Sequence, residues 1–127
     1  MPAAVYTEGL VKEFGAFRAL DELSLAVEPG TVFGFLGPNG AGKTTTIRIL
    51  TGLAHATRGK AWVAGVEMTA NGQPAARKIG YLPEEPAFYP WLTPVEYLDH
   101  VGRIFGLAAE ERQKRVKELL GLVRLAE

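Results

Sequence analysis

An α/β fold is the class this sequence predicts, and three observations predict it. The nearly all-apolar run "TVFGFL", residues 31–36, leads straight into a glycine-rich loop and then into a helix-patterned segment. Short alternating stretches precede that run, and amphipathic helical patterns follow it. Strand, loop and helix in that order suit a sheet whose faces are covered by helices.

The elements follow in chain order. "VYTEGLV" and "LDELSLAV" read as strands, with turns at residues 14–16 and 28–30. Leu23, Leu25 and Val27 alternate with Ser24 and Ala26, the period of a half-buried strand. "TVFGFL" is apolar at almost every position, which suits a strand covered on both faces. Residues 43–53 read as a helix, with Ile47, Leu50 and Leu53 at helical spacing and Gly52 near its end. "GKAWVAG" and "KIGYLP" read as two further strands, separated by a loop and short helix around Asn71, Gly72 and Pro74. Thr93, Pro94 and Glu96 then mark a helix start with a capping box, with Leu92 and Tyr97 at the staple positions. That helix is expected to bury Leu98, Val101, Ile104 and Phe105 and to stop at Gly106. A last helix carries Val116, Leu119, Leu120 and Val123 on one face, with Glu110, Glu111, Arg112, Lys114 and Arg115 read as its solvated start and face.

Bulk properties narrow the function classes. The 127 residues suit one domain, and 47% hydrophobic with 22% charged residues is ordinary globular material. Fourteen basic residues balance fourteen acidic ones, so net charge gives no reason to expect a nucleic-acid partner. The absence of cysteine excludes a disulfide scaffold. No apolar run approaches the roughly 18–20 residues of a membrane span, and the N-terminal residues lack a secretory pattern. The chain is therefore expected to be soluble in itself, with any membrane role peripheral.

Chemistry is concentrated in one stretch. Gly37-Pro38-Asn39-Gly40-Ala41-Gly42-Lys43-Thr44 fits G-x-x-x-x-G-K-[ST] at every fixed position, between a strand pattern and a helix pattern. Glycines let the backbone curl until successive N–H groups face phosphate oxygens. The helix opening at Lys43 aims the positive end of its dipole at the same anion. Lys43 adds a mobile cation for the β- and γ-phosphates, and the Thr44 hydroxyl, with Thr45 beside it, can serve Mg²⁺.

The wording of this loop, "GPNGAGKTTT", resembles the Walker A loop of ABC-transporter ATPase subunits more than that of kinases or GTPases. "LVKEFGAFRALDELSLAVEPGTVFGFLG" is similar to the family's opening antiparallel β-subdomain. "KIGYLPEEPAFYPWLTPVEYLDH" is similar to its Q-loop and first helical-subdomain helix, in the form seen in bacterial ABC-2 type exporters. The resemblance implies an incomplete P-loop NTPase domain of ABC type: β-subdomain over about 1–36, P-loop to Q-loop core over 37–84, start of the helical subdomain over 85–127. It implies ATP and Mg²⁺ as cofactors, with Phe14 stacking on adenine and Phe17 a nearby competitor. Glu84 stands where the family places its Q-loop glutamine and is implied as a catalytic sensor and Mg²⁺ contact. Glutamate there is a departure, since a carboxylate accepts hydrogen bonds but donates none to the γ-phosphate. Phe88, Tyr89 and Trp91 suit either the core under the helical subdomain or, as the resemblance implies, the place where the family meets a transmembrane permease, since aromatics suit such interfaces. A homodimer or second ATPase subunit, and a place on the inner face of the cell membrane, are implied as well.

The family's cutting half is not in the sequence. A Walker B strand places Asp after four apolar residues, and neither Asp21 nor Asp99 follows such a run. The single serine, Ser24, is not followed by Gly-Gly as in the signature, and no switch histidine is placed. The chain is thus expected to be an N-terminal fragment that binds Mg-ATP without hydrolysing it alone, and whose apolar run at 31–36 invites self-association. Another P-loop kinase or GTPase, or a non-catalytic nucleotide-binding module, are the competing readings.

Overall fold

Two antiparallel strands joined by a two-residue turn begin the chain: β1 is Val5–Phe14 and β2 is Phe17–Val27. Val5 lies opposite Val27 and Phe14 opposite Phe17, across Gly15 and Ala16. Gly15, at φ 60°, supplies the positive backbone angle that tight hairpin turns demand. The β1–β2 register slips at three points between Thr7 and Glu13. These bulges break the period-two alternation, so the consecutive residues Leu10 and Val11 are both buried. Along β2 the alternation survives, with Leu23, Leu25 and Val27 half-buried and Ser24 and Ala26 exposed.

The computed structural model describes residues 2–38, 40–69 and 73–126, without the side chains of residues 73 and 74. It divides into two units, Met1–Tyr81 and Leu82–Glu127.

In the first unit, β3 (Arg58–Val63) pairs antiparallel with β1, and β4 (Val66–Glu67) pairs with β3, giving the order β2-β1-β3-β4. Ala64 and Gly65 join β3 to β4 at φ 48° and 77°, the double positive angle of a type I′ turn. Helix α1, Lys43–Leu50, lies against β2 and β3. Leu10, Leu20, Ile49 and Ala61 form the core, bordered by Leu23, Leu50, Ala54, Ala56 and Met68. Thr7 is wholly buried, and its hydroxyl donates to the Leu23 carbonyl at 3.1 Å. A four-residue helix α2, Gln73–Ala76, follows; Asn71 and Gly72, expected to form the loop before it, lie outside the described residues.

Three expectations need correction here. Residues 31–36 and 78–83 form no strand. Val32 and Leu36 are 104% and 92% exposed. A strand exists only through its ladder, and the described strands pair among themselves without reaching these residues. Helix α1 also ends at Leu50, because Gly52 turns to φ 78° and leaves Leu53 exposed.

In the second unit, α3 (Pro94–Ile104) and α4 (Ala109–Leu122) pack on each other. The capping box forms as expected. The Thr93 hydroxyl accepts from the Glu96 N–H at 3.2 Å, and the Glu96 carboxylate accepts from the Thr93 N–H at 2.8 Å. The Thr93 N–H, and after it the Thr93 hydroxyl donating to Glu96 Oε2 at 2.9 Å, hold the Glu96 carboxyl below its ordinary range. The apolar faces are less covered than expected. Val116 and Leu120 are buried, whereas Ile104, Phe105, Leu119 and Val123 stay exposed. A pair of helices has one contact seam, narrower than the apolar stripe of either helix.

Arg112 corrects the reading of a solvated helix start. Its side chain is only 14% exposed. It donates to Asp99 Oδ1 at 2.9 Å and to the Leu107 carbonyl at 2.7 Å. Gly102 makes room for it, since a Cβ there would meet the Arg112 chain at 2.9 Å.

Candidate functional site

Helix α1 opens without a capping side chain. Its N-cap is Gly42, at φ 91° and ψ 9°, and among the described residues no side chain caps the first turn. Serine, threonine or aspartate ordinarily does that work. A glycine in their place leaves N–H groups and the positive dipole end available to an external anion.

The loop before the helix curls back on itself. The Ala41 N–H donates to the Pro38 carbonyl at 3.1 Å, and Lys43 Nζ donates to the Gly37 carbonyl. Lys43 thereby holds its ammonium over the mouth of the loop. Thr46, wholly buried, ties its hydroxyl and its N–H to the Gly42 carbonyl at 2.8 and 2.9 Å. Thr44 is exposed, and neither its hydroxyl nor that of Thr45 is bonded to the described residues. Asn39 lies outside the described residues.

Contact with the sheet explains where the loop sits. A Cβ on Gly42 would lie 2.6 Å from the Ala19 carbonyl oxygen and 2.6 Å from Leu20 Cδ2. The loop therefore rests directly on β2, just past the turn that carries Phe14 and Phe17. Those two residues pair at the end of the hairpin, and they are 55% and 62% exposed. The end is braced by charge: Arg18 meets Glu13 and Asp21, each at 2.9 Å, and Arg58 approaches Glu13 at 3.9 Å. The Arg18 guanidinium is held above its ordinary range, chiefly by its bond to Asp21 and then by Glu13. Lys12 Nζ stands 5.0 Å above the Phe14 ring.

The structure thus brings Gly37, Pro38, Gly40, Ala41, Gly42, Lys43, Thr44 and Thr45 into one loop and helix start, and carries Phe14 in the same unit. Glu84 belongs to the other unit, exposed in the irregular stretch before α3 and unbonded to the described residues. Phe88, Tyr89 and Trp91 are 62%, 48% and 74% exposed. They form a chain of rings: Phe88 stands edge-on to Tyr97 at 5.2 Å, and Tyr89 lies 5.3 Å from Trp91 and 6.4 Å from Tyr97. Lys12 and the Gly42–Ala19 approach were not singled out from the sequence. The Lys-x-Phe spacing, which places both side chains on one strand face, is the signal that could have found Lys12.

Among the described residues no cluster of three His, Cys, Asp or Glu could hold a metal. Mg²⁺ would rest on the free Thr44 hydroxyl and on the phosphates of a nucleotide, a hard-oxygen set that suits it. No helix of the described residues is long and apolar enough to cross a membrane.

Comparison with known proteins agrees with this geometry. Residues 20–127 match the family described as ABC transporter. The chain is 42% identical over 110 residues to an uncharacterized ABC transporter ATP-binding protein, sll0415, of Synechocystis, covering 87% of this chain and 30% of that protein. It is 38% identical over 126 residues to the Fe(3+) ions import ATP-binding protein FbpC of Rhizobium etli, covering 98% and 35% respectively. Its fold superimposes with a TM-score of 0.79 and 26% identity on the dimeric, post-hydrolysis ATP-binding cassette MJ0796 bound to ADP and Pi, over 94% of this chain and 57% of that one. The chain spans about a third of the length of these two curated relatives.

Proposed function

Because the chain belongs to the ABC transporter ATP-binding family, we propose that it binds Mg-ATP at the loop of residues 37–45 and forms the nucleotide-holding part of a subunit that powers membrane transport. One observation carries this reading: a G-x-x-x-x-G-K-T loop, closed by Lys43 on the Gly37 carbonyl, opens a helix with no side-chain cap. Phosphate would draw the ammonium off that carbonyl and take the uncapped N–H groups, replacing one set of hydrogen bonds by charge-assisted ones. Mg²⁺, when bound, neutralises phosphate charge, and the Thr44 hydroxyl is its proposed protein contact. Phe14 offers an exposed ring for the adenine.

The wider assembly belongs to the same proposal. The exposed rings of Phe88, Tyr89 and Trp91 support a permease-contact surface, and the dimeric MJ0796 cassette supports pairing with a second ATPase subunit. Such a complex would sit on the inner face of the membrane. The segments 1–36, 37–84 and 85–127 serve as β-subdomain, nucleotide core and start of the helical subdomain. Residues 78–100 favour export, while the Rhizobium etli relative is named for import, so the proposal is transport without a direction.

Turnover is a separate matter. Both aspartates are committed to ion pairs, Asp21 with Arg18 and Asp99 with Arg103 and Arg112. Ground-state contacts to phosphate bind substrate and transition state alike and do not accelerate hydrolysis. Titration calorimetry with Mg-ATP tests the binding. Lys43→Ala is expected to weaken it about 10- to 150-fold, the equivalent of about 1.5–3 kcal/mol for a charge-assisted bond. An unchanged dissociation constant would sink the reading. Phosphate release from the 127-residue chain is expected to stay at the Lys43→Ala background.

A further inference from the structure

Lys12 has an unusual position for a surface lysine. It is half-buried, two residues before Phe14 on β1, with its ammonium 5.0 Å above the centre of that ring. Glu13, next to it on β1, and Asp21 on β2 are both engaged with Arg18. Among the described residues no carboxylate lies within ion-pair distance of Lys12. Its charge is therefore spent on the ring face.

Its placement ties that ring to the loop. Lys12 is paired with Leu20 in the β1–β2 ladder, and directly opposed residues share a face of the sheet. Leu20 is the residue whose side chain sits against Gly42. Lys12 and Phe14 thus stand on the face of the hairpin that the phosphate loop rests on.

We propose that Lys12 is a positioning residue of the nucleotide site, one that occupies one face of Phe14 and leaves the opposite face as the platform for the base. This inference rests on the reading of Phe14 as the adenine platform. Two physical effects support it. A cation over one face pins an exposed side chain that would otherwise lose rotamer freedom on binding. It also withdraws electron density from the ring, which favours stacking of an electron-rich purine on the other side.

The test compares Lys12→Met and Lys12→Arg with the unaltered chain by calorimetry, using Mg-ATP and Mg-triphosphate as separate ligands. Cation–π contacts at exposed sites correspond to about a two- to five-fold change in affinity. Lys12→Met is expected to weaken ATP by that factor while sparing triphosphate. Lys12→Arg, which keeps a cation over the ring, is expected to bind both normally. Equal losses for both ligands would overturn the inference, because they would assign Lys12 to the phosphates or to folding. No change for either ligand would overturn it as well. Phe14→Ala separates this failure from that of the underlying reading. If Phe14→Ala weakens ATP selectively and Lys12→Met does not, only the role of Lys12 falls. If Phe14→Ala leaves ATP binding intact, the adenine platform itself is elsewhere.

Discussion

Strand β1 and residues 31–36 make an instructive pair within one unit. β1 is flanked by β2 on one side and β3 on the other, and Thr7, Leu10 and Val11 are withdrawn from water. Residues 31–36 are at least as apolar, yet Val32 and Leu36 stand in solvent and Phe33 is half-exposed at 49%. Side-chain character does not separate them. What separates them is the presence of partners, since a strand's backbone groups are satisfied only by a neighbour and its propensity is largely a fit to that neighbour.

The phosphate loop links the two. It follows the unpaired run and rests on β2 through Gly42, so a change at that contact should have the largest effect. Gly42→Ala would force a Cβ to 2.6 Å from the Ala19 carbonyl oxygen and from Leu20 Cδ2, at a φ of 91° that only glycine adopts easily. Left-handed strain of about 1–2 kcal/mol and overpacking of about 1–3 kcal/mol act together. The expected loss is about 2–5 kcal/mol in urea unfolding, with loss of Mg-ATP binding. A loss below about 1 kcal/mol would mean that the loop does not rest on the hairpin in solution.

Local signals account for what was readable in advance. Thr93, Pro94 and Glu96 lie within four residues of one another, and their capping box forms as the spacing predicts. The loop motif is equally local, and its closing bonds join residues at most six apart. The illegible features are non-local. Arg112 turns inward because Gly102 and Asp99 on α3 make a place for it, which no reading of α4 alone could reveal. The bulges that bury both Leu10 and Val11 depend on two partner strands at once.

The Arg112 clasp sharpens the comparison from the helical side, where contact across elements again decides a residue's state. Arg112→Ala removes a hydrogen bond to the Leu107 carbonyl and the packing over Gly102, an expected loss of about 1–2 kcal/mol. Arg103→Ala breaks only an exposed pair with Asp99 and should cost under about 0.5 kcal/mol. The Arg112 bond, ahead of Arg103, also holds the Asp99 carboxyl below its ordinary range. A depressed folded value means the contribution is full above the unfolded value of about 3.9 and is lost as pH falls toward and through the folded one. Helical circular dichroism in acid is therefore expected to fall less steeply below about pH 4 in Arg112→Ala. An identical acid profile would remove Asp99 from the account.

The smallest expected effect is the most direct test of the opening comparison. Val32 is fully exposed, so replacing it changes no packing within the chain. Exposed substitutions of this kind fall within about 0.5 kcal/mol. Val32→Lys is therefore expected to leave the urea midpoint unmoved. It should still act between chains, because an apolar run with unpaired backbone groups is a template for another edge, and a lysine blocks that approach. Sedimentation over a range of concentrations is expected to show less self-association for Val32→Lys than for the unaltered chain. A loss of more than about 1 kcal/mol in the monomer would overturn the comparison. It would show that residues 31–36 are paired and covered in solution, and that β1 and this run differ in nothing but position.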